Sequence, residues 1–497
     1  MIRDIAKGAA WMVLFRLVDR SVGIVSTSIL ARLLLPADFG LVAMAMSIIA
    51  LIELATAFSF ELALIQKADP QREHFDTAWT LNILIAAGGA VITAALAYPA
   101  AAFYGDPRLS TVMFAIGAAW LVSGFENVGT ANFRRQMDFA AEFRLMATKR
   151  MVTFVVTMAA ALTFRSYWAL VIGMATGRVA GVVLSYLMQP FRPRPSLSCA
   201  RELFSFSGWL LVNNMAMVLI SRIPHFTVGR LFGAQSLGAY TVGSEISQMA
   251  HTELIAPINR ALFPGYSRLV NDLQAFRSTC TQATAVILLI VLPVSVGLAV
   301  VAEQVVRVLL GVQWHDAVPI IQILAFSGAA TAVSSNNVQV YLALGRPHDF
   351  TLVLVTRLVL LGVMLLLLAG SHGVTGLAVA ELIASVGSLA VGMPLLFRGL
   401  QLRVHDYLAS LWRPLTASCL MGAAIHLVNR SVGDIDGFGG ALFELLYSVP
   451  LGAAVYIFLL WGLWQLSGRP DSVEALLGQR ALEILKKTLR RPPSSGG

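Results

Sequence analysis

The chain has 497 residues, of which 57% are hydrophobic and only 13% are charged, and its mean hydropathy is +0.75. A soluble domain carries about 25% charged residues, so this composition excludes a soluble enzyme and predicts a protein that uses lipid as its solvent. The formal net charge of +9 is concentrated between the apolar segments, which indicates membrane orientation and no nucleic-acid partner.

The predicted elements are transmembrane helices, beginning close to the first residue. Residues 1–8 include the charged residues Arg3, Asp4 and Lys7 and lead into an apolar stretch. This stretch is too long for the apolar region of a signal peptide, and no cleavage site follows it. Segments of about 20 apolar residues give fourteen spans, so we predict an all-α polytopic membrane protein. The predicted spans are 9–30, 39–65, 78–103, 109–130, 150–164, 167–188, 207–229, 237–259, 282–302, 317–344, 350–369, 373–397, 412–429 and 443–466.

The basic residues predict the orientation of these spans. If the loops alternate between two sides, 25 of the 36 Lys and Arg residues fall on the side that holds both termini, 6 on the other side and 5 within spans. Because cytoplasmic loops carry the excess of Lys and Arg, we predict that both termini are cytoplasmic. The protein is then a multi-pass protein of the bacterial inner membrane.

A weak internal repeat predicts two lobes. Residues 32–40 and 230–238 share a pattern at an offset of 198, and residues 135–139 and 346–350 share a second pattern at an offset of 211. A shift of six spans keeps orientation, so the two six-helix lobes form a parallel repeat, as in many secondary transporters. The predicted domains are an N-terminal lobe at 1–197, a C-terminal lobe at 198–404, two extra C-terminal helices at 405–468 and a cytoplasmic tail at 469–497.

The first span carries a stripe of polar residues at helical spacing. Arg16, Asp19, Arg20, Gly23 and Thr27 share one face. A charge at the bilayer centre costs at least about 2.5–3.5 kcal/mol, so it normally faces a cavity or a partner. Cavity lining is therefore one interpretation, and two arginines that reach the cytoplasmic interface are the other.

Spans 7 and 2 hold further candidates. Asn214 and Arg222 lie on one face of span 7, where Arg222 either lines a cavity or reaches the outer interface and Asn214 either binds substrate or joins helices. Glu53 is central in span 2. It either pairs with an arginine of span 1, titrates as a coupling carboxylate or forms a structural ion pair. Glu245 in span 8 and Glu381 in span 12 are further coupling or ion-pair candidates.

Catalytic and metal-binding motifs are not found in the sequence. It contains no phosphate-binding loop, no zinc-protease pair and no nucleophile elbow. Cys199, Cys280 and Cys419 have neither metal-ligand nor disulfide spacing. We therefore predict a protein that is not an enzyme and has no metal and no cofactor, driven by an ion gradient or by its substrate gradient.

Several short motifs resemble a known family. Residues 7–11 (Lys-Gly-Ala-Ala-Trp), 29–34 (Ile-Leu-Ala-Arg-Leu-Leu), 38–40 (Asp-Phe-Gly) and 344–347 (Leu-Gly-Arg-Pro) look like the Wzx-type polysaccharide flippases. These belong to the multidrug/oligosaccharidyl-lipid/polysaccharide exporter superfamily, and the branch resembled handles colanic-acid and other exopolysaccharide repeat units. The resemblance extends over essentially all fourteen spans.

The resemblance implies a function and a set of partners. The substrate would be an undecaprenyl-diphosphate-linked oligosaccharide, moved from the cytoplasmic to the periplasmic leaflet by alternating access for exopolysaccharide or lipopolysaccharide synthesis. Membrane lipid, a polysaccharide polymerase and a chain-length regulator would be the further partners. Related flippases place arginines in the cavity, including on the first helix beside an aspartate, so Arg16, Arg20 and Arg222 would bind the diphosphate.

Two other functions remain as alternatives. A multidrug-type cation antiporter of the same superfamily needs a cavity dominated by carboxylates, whereas this chain offers more arginine. A membrane polysaccharide polymerase or ligase usually resembles chains with one large periplasmic loop, and no loop on that side exceeds about 15 residues. The sugar, the coupling ion and the oligomeric state do not follow from the sequence.

Overall fold

The computed structural model describes residues 2–55, 60, 64–65, 67, 70–402, 404–433 and 437–468. Within these ranges, only the backbone is described at residues 2–10, 12–13, 54–55, 202–216, 250, 256, 260, 406 and 408–410. The predicted tail at 469–497 lies outside the described residues.

The regular structure of the described residues is helical throughout. The described ranges contain fifteen α-helices, two 3₁₀ turns at Val128–Thr130 and Val312–Trp314, and one π turn at Ala250–Ile255. The helices are α1 (Ile2–Leu33), α2 (Pro36–Ala55), α3 (Arg72–Tyr104), α4 (Arg108–Ser123), α5 (Ala131–Arg135), α6 (Phe139–Phe164), α7 (Trp168–Met188), α8 (Ala200–Met249), α9 (Ala256–Leu269), α10 (Leu273–Val300), α11 (Ala302–Leu309), α12 (Ala317–Ala343), α13 (Pro347–Leu400), α14 (Val404–Val432) and α15 (Gly437–Leu466).

The prediction of an all-α polytopic membrane protein is confirmed. Within the described ranges, nine helices are long and apolar enough to cross a membrane, or ten if the bent pair at 108–135 counts as one span. Two long helices each run through two predicted spans, with a break where the spans meet. In α8, which covers span 7 and the first part of span 8, the break is at Gly233; in α13, which covers spans 11 and 12, it is at Gly373. Both glycines have positive φ. The first predicted span corresponds to α1, whose middle carries three charges.

Two predicted spans differ from the helices observed. Span 4 was predicted as continuous over 109–130, but α4 ends at Ser123 and the chain bends by 61° before it continues through Val128–Arg135. Span 5 was predicted at 150–164, whereas α6 already begins at Phe139. The reason is an N-cap, because the Asp138 side chain accepts a hydrogen bond from the backbone N–H of Ala141 at 3.0 Å.

The Asp-Phe-Gly motif at 38–40 joins several helix ends. One carboxylate oxygen of Asp38 accepts from the N–H of Leu35, and the other accepts from the N–H of Tyr167 at the start of α7, both at 3.0 Å. Phe39 packs edge-on against Trp314 with ring centroids 5.0 Å apart. Trp314 is fully buried and donates from its indole N–H to the carbonyl of Ala31 at 2.8 Å. The motif therefore fixes the turn between α1 and α2.

Gly40 lies where α2 crosses the second half of α8. A Cβ atom at Gly40 would lie 1.6 Å from the carbonyl oxygen of Ala234, and one at Gly238 would lie 1.8 Å from the carbonyl oxygen of Pro36. Both pairs obey the repeat offset of 198, since position 36 corresponds to 234 and position 40 to 238. The crossing is thus a symmetric contact between equivalent residues of the repeat, with backbone directly against backbone.

The chain forms two compact units. Unit 1 comprises 1–242 and 309–316, and unit 2 comprises 243–308 and the described residues from 317 onward. In unit 2 the two extra C-terminal helices pack on α10, where the Tyr456 hydroxyl donates to the carbonyl of Leu289 at 3.0 Å. The two units are defined by which residues contact each other, and not by the sequence repeat. They therefore do not test the predicted lobes at 1–197 and 198–404, which stay a prediction.

Candidate functional site

Unit 1 contains a cavity of about 590 Å³ whose wall is formed by α1, α3, α4, α5 and α6. This volume lies within the usual range of about 300–1,000 Å³ for ligand pockets. Apolar and aromatic side chains, among them Phe15, Trp120 and Phe133, form part of the wall. The charged residues of the wall are Asp19, Glu126, Arg134, Glu142, Lys149 and Arg150.

The break after α4 shapes one side of this cavity. A Cβ at Gly124 would lie 2.6 Å from the Cβ of Ala86, so the turn after α4 packs closely on α3. Asn127 then anchors the turn. Its Oδ1 accepts from the N–H of Gly129 at 2.9 Å, and its Nδ2 donates to the carbonyl of Phe191 at 2.7 Å. Without the break, Glu126 would continue a helix instead of lying in the cavity wall.

The six charged side chains of the wall form three ion pairs. Arg150 Nε lies 2.9 Å from Asp19 Oδ1, and Arg134 Nε lies 2.6 Å from Glu142 Oε1. Lys149 Nζ lies 3.8 Å from Glu126 Oε2, which is a looser contact. The wall therefore carries strong local charge with no net excess of either sign. Its cations lie on α5 and α6.

A second charged group in unit 1 shares Ser123 with the cavity wall. Arg178 Nη2 lies 3.2 Å from Glu53 Oε1, and its Nη1 donates to the Ser123 hydroxyl at 3.4 Å. Arg222 is half-buried and interacts electrostatically with the same Glu53. Two predicted site residues, Glu53 and Arg222, are thus brought together, and Glu53 has an arginine partner on α7 that the sequence did not suggest.

The predicted residues of the first span occupy different environments along α1. Asp19 is half-buried in the cavity wall, together with Phe15 one turn earlier. Arg20 is half-buried and Arg16 is exposed, and neither belongs to the wall of this cavity. Neighbouring residues point about 100° apart around a helix, so Asp19 and Arg20 face different surroundings. The diphosphate-binding role of both arginines stays a prediction.

The remaining predicted residues lie elsewhere. Asn214 is on α8 in unit 1, and its side chain is not among those described. Glu245 is exposed and Glu381 is half-buried, and both belong to unit 2. The Glu381 carbonyl accepts from the Ser385 hydroxyl at 2.8 Å.

Sequence reasoning missed Lys149 and Arg150 as site residues. Both were assigned to a cytoplasmic loop, because span 5 was taken to begin at residue 150. In the structure they lie three turns inside α6. The signal that would have found them is the cap at Asp138, followed by Glu142 in the first turn of the helix, which is a typical pattern of a helix start.

Metal ligands do not cluster in the described part of the chain. No group of three or more His, Cys, Asp or Glu residues there could hold a metal ion. The cysteines Cys199, Cys280 and Cys419 are all free. The groups that the cavity wall offers to a ligand are ion pairs, aromatic rings and amide groups.

Comparison with protein families identifies the chain. The model of a family described as polysaccharide biosynthesis protein matches residues 29–319, which is more than half of the sequence. The chain belongs to this family. Among curated relatives, this polysaccharide biosynthesis protein is 23% identical to the lipopolysaccharide biosynthesis protein WzxC of Escherichia coli K12, over 82% of this chain and 84% of the relative.

Further relatives carry similar descriptions. The teichuronic acid biosynthesis protein TuaB of Bacillus subtilis is 23% identical, over 81% of this chain and 83% of the relative. The succinoglycan biosynthesis transport protein ExoT of Rhizobium meliloti is 22% identical, over 65% and 66%. The resemblance to polysaccharide flippases is thereby confirmed.

Solved structures show the fold of this polysaccharide biosynthesis protein. The inward closed conformation of the lipid II flippase MurJ aligns with a TM-score of 0.69 and 12% identity, over 91% of this chain and 99% of that one. An inward-facing multidrug transporter of the MATE family aligns with a TM-score of 0.55 and 15% identity, over 78% and 95%. Both alignments show the fold of a polytopic all-α membrane protein.

Proposed function

We propose that the protein is a flippase for undecaprenyl-diphosphate-linked oligosaccharides. It moves these repeat units from the cytoplasmic to the periplasmic leaflet of the bacterial inner membrane, by alternating access between two lobes, for the synthesis of exopolysaccharide or lipopolysaccharide. Both termini are cytoplasmic in this proposal. A polysaccharide polymerase and a chain-length regulator act on the product.

The observation that carries the proposal is the charged cavity of unit 1, with Arg134, Lys149 and Arg150 in its wall. A diphosphate linked to an oligosaccharide combines negative charge with many hydroxyl groups. Arginine binds phosphate oxygens with its planar fork, whereas carboxylates, amides and aromatic rings suit sugar hydroxyls and ring faces. The wall supplies all of these groups, in a family whose relatives are named for polysaccharide synthesis.

The individual residues have the following proposed roles. Arg16, Arg20 and Arg222, with Asn214, bind the diphosphate along the transport path. Asp19, Glu53, Glu245 and Glu381 form ion pairs or couple transport to an ion gradient. The support is strongest for Asp19 and Glu53, because each has an arginine within 3.2 Å and each ion pair connects two different helices.

The multidrug cation antiporter is the second candidate, because the fold also resembles the MATE transporter. A cationic drug needs an excess of carboxylate, but the cavity wall holds three acidic and three basic side chains, each in an ion pair. The two functions separate experimentally. An antiporter would confer drug resistance on a sensitive strain, and a flippase would not.

Deletion of the gene tests the proposed function directly. A strain that lacks the flippase accumulates lipid-linked repeat units on the cytoplasmic side of the membrane. A polymerase or ligase mutant accumulates them on the periplasmic side instead. Normal polymer export in the deletion strain, without accumulation on either side, would reject the flippase function.

A further inference from the structure

Two consecutive cations of α6 line the cavity and pair with carboxylates on different elements. Arg150 pairs with Asp19 on α1, and Lys149 pairs with Glu126 in the turn after α4. All four side chains keep between 36% and 46% of their surface exposed. A ligand in the cavity can therefore reach both cations without any rearrangement of the helices.

Glycines on the neighbouring helices make room for the two cationic groups. A Cβ at Gly23 of α1 would lie 3.1 Å from Arg150 Nη2, and a Cβ at Gly181 of α7 would lie 2.6 Å from Lys149 Nζ. A larger residue at Gly181 would require Lys149 Nζ to move, whereas one at Gly23 would shift Arg150 Nη2 only slightly. Both positions in the cavity wall thus depend on the absence of a neighbouring side chain.

The guanidinium of Arg150 is neutralised, but its donors are not fully used. Its Nε is buried and makes no hydrogen bond within the described part of the chain, although Asp19 Oδ1 lies only 2.9 Å away. A buried donor without a partner is costly, and hydrogen bonds to charged groups are the stronger ones.

We infer that Arg150 and Lys149 are a phosphate-binding pair, and that Asp19 and Glu126 occupy the two cations until substrate arrives. This inference rests on the proposed function and deepens it, because it adds two cations of one cavity to the arginines that bind the diphosphate along the transport path. On binding, phosphate oxygens replace the carboxylates at the cations. The displaced carboxylates stay charged beside the substrate and favour its release.

The exchange is energetically reasonable for groups of this exposure. A partly exposed ion pair contributes little to stability, so its separation costs little. A phosphate carries more charge than a carboxylate and engages arginine through two parallel hydrogen bonds. Phosphate therefore binds Arg150 in preference to the Asp19 carboxylate. The net gain in affinity is smaller than it would be if Asp19 were neutral.

The inference predicts that substitutions of the two partners of one ion pair change ligand binding in opposite directions. We expect Arg150→Gln to weaken binding of farnesyl diphosphate to the purified full-length protein by roughly tenfold or more, and Asp19→Asn to strengthen it. Lys149→Gln and Glu126→Gln should follow the same pattern with smaller changes. Arg150→Lys, which keeps the charge without the fork, should bind with intermediate affinity and covers the case in which Arg150→Gln does not fold.

The matched control is the ion pair between Asp106 and Arg108, which is not part of the cavity wall and is joined at 2.7 Å. Arg108→Gln and Asp106→Asn should leave binding unchanged. Inorganic pyrophosphate and farnesol separate the contributions of phosphate and lipid. Pyrophosphate should also lose affinity in Arg150→Gln, whereas farnesol should not distinguish the variants.

Three results would overturn the inference. If Asp19→Asn and Arg150→Gln weaken binding alike, the pair is structural. If farnesyl diphosphate binds the wild type and Arg150→Gln equally, another site holds the phosphates and the flippase function still stands. If farnesol binds the wild type as tightly as farnesyl diphosphate does, phosphate is not recognised. Failure of the proposed function itself shows separately, as normal export in the deletion strain.

Discussion

The crossing of α2 and α8 leaves no space for a side chain at Gly40. A Cβ there would lie 1.6 Å from the carbonyl oxygen of Ala234, and an ordinary contact needs about 3.5–4.0 Å. The obstacle is backbone, which cannot rotate away as a flexible side chain would. Gly40→Ala must therefore move the two helices apart by roughly 2 Å, since that is the missing separation.

We expect this movement to destabilise the protein by about 1–3 kcal/mol or more, the usual cost of overpacking. Gly88→Ala is the matched control, because Gly88 is also inside a helix but has no atom within 4 Å of its Cβ position. Alanine is the better helix former by about 1 kcal/mol, so Gly88→Ala should be neutral or stabilising. The two substitutions thus have opposite expected signs.

The assay is the thermal unfolding midpoint of purified full-length variants in a mild detergent, at matched lipid content. Gly40→Ala should lower the midpoint clearly, and Gly238→Ala should lower it similarly, because its Cβ would lie 1.8 Å from the carbonyl oxygen of Pro36. The reasoning would be refuted if Gly40→Ala melted at the temperature of the wild type, or if only one of the two symmetric glycines were sensitive.

Three further predictions concern transport, topology and pH. Arg20→Ala should abolish polymer export at matched expression, whereas Arg490→Ala should have little effect. Arg20→Lys should restore part of the export, because lysine keeps the charge but lacks the planar fork of arginine. Normal export from the Arg20→Ala strain would remove this residue from the mechanism. Labelling of single cysteines from the periplasm should reach position 435 and not position 140, and the reverse pattern would invert the orientation. The pKa of Asp106 is lowered, mainly by its hydrogen bond from the Arg108 side chain, so this pair stabilises the folded state above the ordinary Asp pKa and the contribution is lost as the pH falls through the lowered value. Asp106→Asn should accordingly lower the unfolding midpoint at pH 7 and have no effect once the carboxyl is protonated in the wild type; an equal loss at both pH values would contradict this assignment.

Local sequence determined which segments lie in the membrane. Apolar stretches of about 20 residues are stable in lipid whatever surrounds them, so most of the predicted spans could be placed without tertiary information. The break at Gly233 lies between predicted spans 7 and 8, and the break at Gly373 lies at the start of predicted span 12, but the backbone conformation of these glycines was not predicted. The start of α6 was placed wrongly because the polar residues after Asp138 resemble a loop, although they belong to a capped helix.

The sequence also contained the Asp-Phe-Gly motif and the repeat, but not their physical reason. Asp38 binds the N–H of Tyr167, which is 129 residues away in the chain. Gly40 is required by the carbonyl of Ala234. Neither partner can be inferred from local pattern, because each depends on which two helices cross and at what height.

The partners of the charged residues were decided only by the tertiary structure. The spacing on α1 singled out Asp19, and its stripe with the arginines suggested that they act together. The structure instead places Asp19 against Arg150 of α6, in the wall of a cavity that does not include Arg20. Which face of a helix meets a neighbour depends on the rotation of both helices about their axes. A change of one residue turns a side chain by about 100°, and periodicity in one segment cannot specify the rotation of another.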